Sequence, residues 1–583
     1  MKETKLVFKY TKNEYVKAER QTMSKRLALL FILTSLITNS PVALAASTYS
    51  DVPEDSWAES TIEAAAEYGL MNGVGGGVFG YGREISRAEF ATLICRMFDW
   101  ELIAPDAPSF PDVQPDDWYY TYVETTVDHN AVYRGGAFSP KTPITREDMS
   151  VMLVRALGYE PIAEAASEYS MPFTDVISNR GYIAIAYDIG MTNGTSATAF
   201  SPDNTAKREE AAAMLVRVYE KYISKTDYLH GFYAFSSYSQ RYVTDNLDAV
   251  SFGWSNMNFD FDRGAWLNTS YTDDNQWAVP DSYESITSYL EENYTKAHLS
   301  VFMDTSQTLT YPDGTASNSL EELLISEENR VAAVAAIVDE VSREYVEIGK
   351  NPYSGVTIDF EGLKGRELKS GFTAFLTLLS SELKNRDMTL YVAVQPVLAD
   401  GVYFDAYDYR AIGELADKVI LMAHNYNATS LEGFVGTEWH KTTALTPIAS
   451  VYYSLRAITD KETGVEDKSK IVLAISFATI GWEITEEGKV KSGEAQTPSI
   501  PTVYQRLLQE NTVTGWSEQY KNPYITYYTE SGQKIFLYYE NEESVAEKIT
   551  LAKLFGITGV SLWRIGIIPD YADVYDVWGA LVG

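Results

Sequence analysis

A short phrase that recurs three times in the N-terminal part of the chain most constrains its fold. The phrase is an aromatic residue, any residue, Asp and Val, with its aspartate at Asp51, Asp112 and Asp175, 61 and 63 residues apart. Each copy leads into a helical pattern, a turn that contains Phe, and a second helical pattern. Self-similarity at a fixed period is typical of modules that bury a continuous core only by packing on one another. The sequence therefore predicts three copies of one helical unit over about residues 48–222.

The second helix of each unit opens on a similar polar phrase. These phrases are Ile85–Glu89, Ile144–Asp148 and Ala206–Glu210. In the first two, Ser86 and Thr145 stand where an N-cap hydroxyl would, and acidic residues follow near the positive end of the helix dipole. We expect these helices to begin directly after the two hydroxyl residues.

The repeats resemble the surface-layer homology (SLH) repeat, a helical module that occurs in threes and ties bacterial surface proteins to wall polysaccharide. The resemblance implies that a Trp near the repeat start and the Arg of the second helix bind a pyruvylated secondary cell-wall polymer in grooves between repeats. A planar guanidinium can hold a carboxylate by two parallel hydrogen bonds, which suits that partner. The implied wall-polymer-binding residues are Trp57, Arg87, Trp118, Arg146 and Arg208.

The third repeat departs from this pattern. It has Tyr182 or Tyr187 near the Trp position, and Lys207 replaces Thr before Arg208. For every repeat the alternative is that the Arg pairs with an acidic side chain of the protein itself.

The first 45 residues have the organisation of a secretory signal peptide. Lys25 and Arg26 precede the apolar run Leu27–Ile37, and the small residues of Ala43–Ala45 predict cleavage after Ala45. The run is shorter than the roughly 20 residues that span a bilayer. Met23 is a possible true start. The predicted organisation is a signal peptide at 1–45, SLH repeats at 46–103, 104–160 and 161–225, and one longer domain at 226–583.

Composition excludes some partners. With 81 acidic and 47 basic side chains, a net charge of −34 repels nucleic acid and anionic membranes at long range. The single cysteine, Cys95, permits no internal disulfide and is predicted to be buried. We expect no cofactor. The run Trp254–Asp262 has acidic spacing, but it lacks the Gly and terminal Glu of a calcium loop, so we predict a polar loop without metal.

From Tyr228 onward, short β-rich runs alternate with longer helical stretches, which is typical of βα units. Most of the runs are continuously apolar, as expected for strands covered on both faces. Eight units fit a (β/α)8 barrel, so the predicted fold class is an all-α SLH repeat trimer followed by an α/β TIM barrel; a doubly wound open sheet is the alternative. The predicted strands are Gly231–Ser236, Ala249–Trp254, Leu299–Asp304, Gly355–Phe360, Thr389–Gln395, Val419–Ala423, Ile471–Phe477 and Gly559–Trp563.

The end of the fourth predicted strand carries two carboxylates. Because side chains alternate along a strand, Thr357, Asp359 and Glu361 share one face, which in a barrel is the interior. Barrel enzymes carry their chemistry at the carboxyl ends of strands. Two neighbouring carboxylates in an enclosed site make the second one costly to ionise, so one can stay protonated and act as an acid. A solvated or salt-bridged pair is the alternative.

The segment Gly355–Glu361 is similar to the Asp-Gly-x-Asp-x-Asp-x-Glu strand of glycoside hydrolase family 18, especially its spore cortex-lytic and peptidoglycan-cleaving N-acetylglucosaminidases. Further matches follow in the family's order at Val392–Pro396, Leu421–Asn425, Tyr539–Lys548 and Gly559–Trp563. The resemblance therefore spans the whole predicted barrel.

This resemblance implies a retaining mechanism in which the 2-acetamido group of the substrate replaces the enzyme nucleophile. Glu361 would be the general acid/base, and Asp359 would hold the acetamido N–H. Trp563 would form the floor of the sugar subsite, and the other implied substrate-binding residues are Thr357, His424 and Asn425.

The chain also departs from the family pattern. Ser354 and Thr357 stand where the family often has aspartates, and His424 stands where it often has Tyr. An unperturbed imidazole has a pKa of about 6.5, so a histidine at position 424 could alter the pH optimum of the enzyme.

Together these features predict a secreted hydrolase attached to the bacterial cell wall or S-layer, acting on β-1,4 linkages beside N-acetylhexosamines. Peptidoglycan is the first expected substrate and a chitin-type oligosaccharide the second. The alternatives are a non-catalytic, lectin-like barrel and a purely structural surface-layer protein. The acid Glu361 favours the enzyme, because lectin forms of the family commonly lack it.

Overall fold

The computed structural model describes residues 49–165, 171–272, 277–311, 313–396, 404–572 and 574–582. The predicted signal peptide at 1–45 lies outside these residues. The chain divides into a small unit, residues up to 59 with 73–80, and a large unit that holds residues 60–72 and 81–583. In the described part of the chain, no helix combines the length and apolarity needed to cross a bilayer.

Helices dominate the repeat region. They are α1 Glu59–Glu67, α2 Arg87–Met97, α3 Tyr120–Asp128, α4 Arg146–Ala156, α5 Glu160–Ala165, α6 Arg180–Asp188 and α7 Arg208–Tyr222. The predicted N-caps are confirmed, since Ser86 Oγ accepts from the backbone N–H of Glu89 at 3.3 Å and Thr145 Oγ1 accepts from that of Asp148 at 3.1 Å. Cys95 is buried in α2, as predicted.

The recurring aspartate closes the turn of its own repeat. Each carboxylate accepts one backbone N–H on each oxygen, from the Phe of the turn and from the residue after it. The donors are Phe79 and Gly80 for Asp51 (both 2.7 Å), Phe138 and Ser139 for Asp112 (both 2.8 Å), and Phe200 and Ser201 for Asp175 (2.8 and 2.7 Å). A short side chain with two acceptor oxygens satisfies both donors at once, which explains why Asp recurs.

Within the large unit, the three repeats meet in a ring of backbone hydrogen bonds. Ile144 N donates to Ile85 O at 2.9 Å, Ala206 N to Ile144 O at 3.2 Å, and Ile85 N to Ala206 O at 3.0 Å. These residues precede α2, α4 and α7, so equivalent positions of the three repeats pair in a closed cycle. Each repeat thereby satisfies the backbone of the next.

The strands of the described chain all follow the repeats. They are β1 Tyr228–Tyr233, β2 Ala249–Asp260, β3 Gly264–Asn268, β4 Lys296–Asp304, β5 Thr308–Thr310, β6 Ala316–Asn318, β7 Gly355–Glu361, β8 Thr389–Val394, β9 Lys418–Leu421, β10 Ile471–Ser476, β11 Ile480–Ile484, β12 Val490–Gln496, β13 Val513–Ser517, β14 Asn522–Tyr528, β15 Lys534–Tyr538, β16 Gly559–Ile565, β17 Asp570–Tyr571 and β18 Tyr575–Asp576. The helices among them are α8 Tyr283–Glu292, α9 Ser319–Ile325, α10 Glu327–Ser342, α11 Arg366–Lys384, α12 Tyr409–Leu415, α13 Ile448–Ile458, α14 Ile500–Leu507, α15 Glu542–Leu554 and α16 Trp578–Val582.

Eight parallel strands close into a barrel. Their order is β1-β2-β4-β7-β8-β9-β10-β16, and β1 pairs with both β2 and β16. The alternative of an open, doubly wound sheet is therefore wrong. All eight predicted strands exist, with shifted ends. β1 starts at Tyr228, before the predicted Gly231, and it ends before Ser236 because a 3-10 helix, Phe235–Asn246, begins there.

The prediction of a polar loop at Trp254–Asp262 is wrong. β2 continues to Asp260 and pairs with the antiparallel β3, from Asn256 opposite Asn268 to Asp260 opposite Gly264. Gly264 has a positive φ of 73°, which permits the tight turn. Cross-strand hydrogen bonds, which the composition does not reveal, outweigh the loop preference of Asn and Asp. Within the described residues, no group of three or more His, Cys, Asp or Glu side chains is arranged to hold a metal.

A second sheet lies between β10 and α15, and the sequence did not predict it. Its five antiparallel strands have the order β12-β11-β15-β14-β13. Trp482, Phe536 and Tyr538 form its buried core with Leu431 and Leu445 from the segment after β9.

Candidate active site

Asp359 and Glu361 both line one cavity at the carboxyl end of β7. Ile358 and Phe360 alternate with them and point to the opposite face, where Phe360 stacks on Phe375 of α11 with ring centroids 5.2 Å apart. Asp359 is 2% exposed, whereas Glu361 is partly exposed. Strand alternation therefore brings the two carboxyls into one enclosed space, as expected.

The cavity has a volume of about 220 Å³, and most of its wall is aromatic or apolar. Trp563, from the end of β16, packs edge-on against Phe232 of β1 with ring centroids 5.0 Å apart. A Cβ at Gly253 of β2 would lie 3.1 Å from the indole of Trp277, so glycine there allows the indole to approach the strand. The lining residues are Phe232, Tyr233, Ala234, Gly253, Trp277, Ser300, Phe302, Asp359, Glu361, Trp563 and Arg564.

Burial and a neighbouring acidic charge favour the protonated form of each carboxyl. Burial, followed by the charge of Asp304, raises the pKa of Glu361 to about 6. Asp304 of β4 lies directly opposite Glu361 in the strand register. Burial and the neighbouring Glu361 raise the pKa of Asp359 well above its usual range. A carboxyl with a pKa near neutrality can serve as an acid and afterwards as a base.

One oxygen of Asp359 is available for substrate. Its Oδ1 is buried and has no hydrogen-bond partner among the residues that the structure describes. An unpaired buried acceptor is costly, so a ligand N–H that reached this oxygen would be bound favourably.

Gln395, directly after β8, was not singled out from the sequence. Its Nε2 lies 3.4 Å from Glu361 Oε2, and its Oε1 accepts the N–H of Gly362 at 2.7 Å. The Tyr409 hydroxyl donates to the Gln395 carbonyl oxygen at 2.9 Å. The predicted fifth strand ended at Gln395, and its place at the carboxyl end of a barrel strand is the signal that could have found it.

Thr357 is not among the described residues that line the cavity. It lies deeper in the barrel, where its hydroxyl is 2.6 Å from Ser251 Oγ and 3.3 Å from His298 Nδ1. Further contacts of 2.7–2.8 Å extend this polar chain on both sides, and its members in order are Ser561, His230, Ser251, Thr357, His298 and Thr389. Burial lowers the pKa of His230 to about 3, so the network is neutral at physiological pH.

His424 and Asn425 follow β9 and are also absent from the described cavity wall. His424 is partly exposed, but both of its ring nitrogens are buried and neither has a hydrogen-bond partner within the described ranges. Burial lowers its pKa to about 4, so the expectation that it titrates near pH 6.5 is wrong. Asn425 has a φ of 58°, a left-handed conformation that Asn tolerates better than most residues. Their roles toward substrate stay predictions.

In the repeat region, Arg87 and Arg146 each reach into the following repeat. Arg87 Nε donates to Phe138 O at 2.9 Å, and Arg146 Nε donates to Phe200 O at 3.0 Å. Each guanidinium also lies over the ring of the same Phe, 5.3 and 5.0 Å from its centroid. These arginines therefore connect neighbouring repeats, and this structural role does not depend on a bound ligand.

The three arginines differ in their remaining contacts. Arg87 pairs with Asp148 at 2.5 Å, and the buried Arg208 pairs with Glu89 at 2.9 Å. Arg146 donates to Thr192 Oγ1 at 2.9 Å. The alternative that the arginine pairs with an acidic side chain of the protein itself thus applies to Arg87 and Arg208.

The aromatic residues expected in the wall-binding grooves also divide into two kinds. Trp57 and Trp118 are 59% and 61% exposed. In the third repeat, Tyr182 donates to Glu160, and Tyr187 accepts from Lys461 of the barrel region. Only the two tryptophans therefore present a largely open aromatic face.

Comparison with known proteins places this site in a family. The profile described as "Glycosyl hydrolases family 18" matches residues 216–567, more than half of the chain. The chain belongs to glycosyl hydrolase family 18. The profile of the "S-layer homology domain" matches residues 48–91, 109–150 and 172–212. The predicted order of three SLH repeats followed by a family 18 domain is confirmed.

Individual relatives match parts of the chain. An S-layer protein of Bacillus thuringiensis subsp. finitimus is 29% identical over 218 residues, 36% of this chain and 25% of its own length. An amylopullulanase of Thermoanaerobacterium thermosulfurigenes is 31% identical over 183 residues, 30% of this chain and 10% of its own length. The chain thus spans a quarter or less of these curated relatives.

Solved structures with 18% identity also match the chain. A chitinase from Chromobacterium violaceum covers 61% of this chain and 97% of its own, with a TM-score of 0.44. The spore cortex-lytic enzyme SleL from Bacillus cereus covers 61% of this chain and 73% of its own, also with a TM-score of 0.44.

Proposed function

We propose that this protein is a wall-anchored glycoside hydrolase that cleaves β-1,4 linkages next to N-acetylhexosamines. Peptidoglycan is its first substrate and chitin-type oligosaccharide its second. The observation that carries the proposal is the pair Asp359 and Glu361, which line one aromatic-walled cavity with Trp563. Apolar walls suit the faces of pyranose rings, and the carboxyls supply the chemistry.

The reaction begins with Glu361 protonated. It donates its proton to the glycosidic oxygen, while the carbonyl oxygen of the substrate's 2-acetamido group attacks the anomeric carbon and the leaving sugar departs. Attack within one molecule is fast, since well-placed neighbouring groups reach effective molarities of about 10⁵–10⁸ M. Asp359 accepts the acetamido N–H through Oδ1 and stabilises the positive oxazolinium ion.

The second step restores the enzyme. Glu361, now ionised, takes a proton from water as the water attacks the anomeric carbon and opens the oxazolinium ring. The configuration at the anomeric carbon is retained because it is inverted twice. Glu361 is reprotonated at the end of the cycle.

The repeats anchor this enzyme at the cell surface through a pyruvylated wall polymer. Three SLH matches support anchoring, and so does similarity to proteins described as S-layer proteins. The amylopullulanase match shows that similar sequence also occurs in a protein named for glycan cleavage. The exposed Trp57 and Trp118 are the side chains best placed to meet a ligand.

The catalytic proposal is tested with the full chain on purified peptidoglycan and on chitin oligomers, scoring new reducing ends. Loss of the general acid in Glu361→Gln should lower kcat by about 10²–10⁴-fold. Glu328→Gln, on an exposed part of α10, is the matched control and should keep full activity. Equal activity of Glu361→Gln and wild type would refute the mechanism. Binding without cleavage by either protein would favour a lectin.

The anchor is tested by sedimentation with isolated cell walls. Because Arg87, Arg146 and Arg208 also join the repeats, replacing all three with Ala risks unfolding that would resemble a loss of binding. Trp57→Ala combined with Trp118→Ala removes two exposed rings and should abolish sedimentation without changing the circular dichroism spectrum. Undiminished sedimentation of that variant would show that the tryptophans do not hold the polymer.

A further inference from the structure

Arg564 places a positive charge at the wall of the cavity that holds the catalytic pair. It follows Trp563 at the carboxyl end of β16, and both side chains line the cavity. Among the described lining residues, it is the only cation, and Asp359 and Glu361 are the only acids.

Among the described residues, the guanidinium of Arg564 contacts a hydroxyl and a carbonyl oxygen but no carboxylate. Its Nη1 donates to Ser236 Oγ at 2.8 Å, with a longer contact of 3.5 Å to Ile565 O. In the part of the chain that the structure describes, no carboxylate oxygen lies within 4.0 Å of its nitrogens. A guanidinium has five N–H donors, so most of them remain available.

Partial burial makes this charge receptive to an anion. Removal from water lowers the pKa of Arg564, although a guanidinium stays protonated at any physiological pH. A partly desolvated cation gains more from a carboxylate than one in open water, because screening is weaker. Two parallel N–H groups can then hold both carboxylate oxygens.

We propose that Arg564 is a specificity-determining residue that binds a carboxylate carried by the glycan, next to the sugar whose bond is cleaved. This inference rests on the proposed function and deepens it. The two glycans considered above differ in this group. Peptidoglycan bears carboxylates, on the lactyl group of muramic acid where no stem peptide is attached and on the stem peptide where one is, and chitin bears none. Whenever Asp359 or Glu361 is ionised, this cavity repels an anionic sugar. Arg564 offsets that repulsion and selects the acidic polymer.

The same carboxylate chemistry has two sources in peptidoglycan, the lactyl group and the stem peptide. Four substrates of equal glycan length separate them: strands with peptides, strands stripped of peptides, stripped strands with the lactyl carboxyl methyl-esterified, and chitin oligomers. The enzymes are the full-length wild type, Arg564→Gln, Arg564→Lys, and Arg386→Gln as a surface control from the turn after α11.

We expect Arg564→Gln to lower kcat/KM on stripped strands by about 10–100-fold, the range expected for a charge-assisted hydrogen bond of this kind. The activity of Arg564→Gln on chitin oligomers and on esterified strands should stay within about twofold of wild type. Arg564→Lys should recover part of the loss on stripped strands, because Lys keeps the positive charge but lacks the two parallel N–H donors of a guanidinium. A loss seen only on strands with peptides would assign the carboxylate to the stem peptide. An equal loss on all substrates, or no loss on any, would overturn the inference.

The experiment also distinguishes a failure of the hydrolase proposal from a failure of the inference about Arg564. If the wild type cleaves none of the four substrates, the hydrolase proposal falls. Binding of the four glycans to wild type and to Arg564→Gln, measured by calorimetry, then decides the role of Arg564 separately. Weaker binding of Arg564→Gln to the carboxylate-bearing strands alone would support the carboxylate subsite in a lectin, and equal binding would exclude it.

Discussion

Arg456 of the barrel holds Asp188 of the third repeat, with Nε 3.0 Å from Oδ2. The Tyr452 hydroxyl donates to the same oxygen at 2.5 Å. Asp188 ends α6, whereas Tyr452 and Arg456 lie on α13 beside the barrel. The aspartate side chain is only 10% exposed, and burial raises its pKa. The third repeat and the barrel region thus share a buried polar contact.

Asp188→Ala should loosen this junction. The substitution removes the acceptor of two donors, and a buried unsatisfied hydrogen-bonding group costs about 1–3 kcal/mol. Differential scanning calorimetry and limited proteolysis of the full chain would report a lower Tm and faster cleavage between the repeats and the barrel. Glu382→Ala is the control, because it removes only a surface pair with Arg386 and such pairs contribute about 0–1 kcal/mol. Identical behaviour of the two variants would contradict a structural role for Asp188.

The activity should depend on pH through Glu361. Its pKa of about 6 means that the acid form dominates below that pH. The rate kcat/KM on a chitin oligomer should therefore fall on the alkaline side, approaching tenfold per pH unit well above pH 6. Initial rates from pH 4 to 9 would measure this limb. A rate that stays constant from pH 5 to 8 would mean that Glu361 is not the acid.

The same raised pKa predicts a pH-dependent stability cost. Below the unfolded pKa, near 4.5, Glu361 is protonated in both states; above about 6 it must ionise in a buried site. Folded stability is thus lost as the pH rises through this window, by up to about 2 kcal/mol. Glu361→Gln, which cannot ionise, should be more stable than wild type at pH 8 and equal to it at pH 4. Melting curves at both pH values test the sign, and a stabilisation that is larger at pH 4 would refute it.

Lys548 and Glu540 form a buried ion pair in the barrel region. Lys548 Nζ lies 2.7 Å from Glu540 Oε2, and both side chains are 1% exposed. Asn522 and Ser544 also donate to this carboxylate, at 2.9 and 2.5 Å. Lys548→Met should cost about 3–5 kcal/mol, because it leaves a buried charge without its partner.

Chemical denaturation of the full chain measures this loss. Lys441→Met removes an exposed pair with Glu438 and is the matched control, expected to change stability by about 1 kcal/mol or less. If both lysine variants unfold at the same denaturant concentration, the buried pair contributes no more than a surface one.

Features that depend only on residues close together along the chain could be predicted from the sequence. The eight barrel strands show as apolar runs, and the shared face of Asp359 and Glu361 follows from strand alternation alone. Pairing between distant strands leaves no such pattern, so the β2–β3 hairpin and the five-stranded sheet were missed. The position of His424 shows the same limit. Its place after the sixth barrel strand was expected, but only the packing around it shows that burial lowers its pKa to about 4.

The sequence by itself determined the order of the modules, the recurring aspartates and the acid at the end of the fourth barrel strand, because motifs and periodicity are local properties of the chain. The tertiary structure decided which groups meet. Asp188 and Tyr452 are 264 residues apart in the chain and share a hydrogen bond, and Arg564 joins Glu361 at one cavity only because the barrel closes. Burial, pKa and the charge around the substrate depend on such distant neighbours, whose positions the folded chain alone sets.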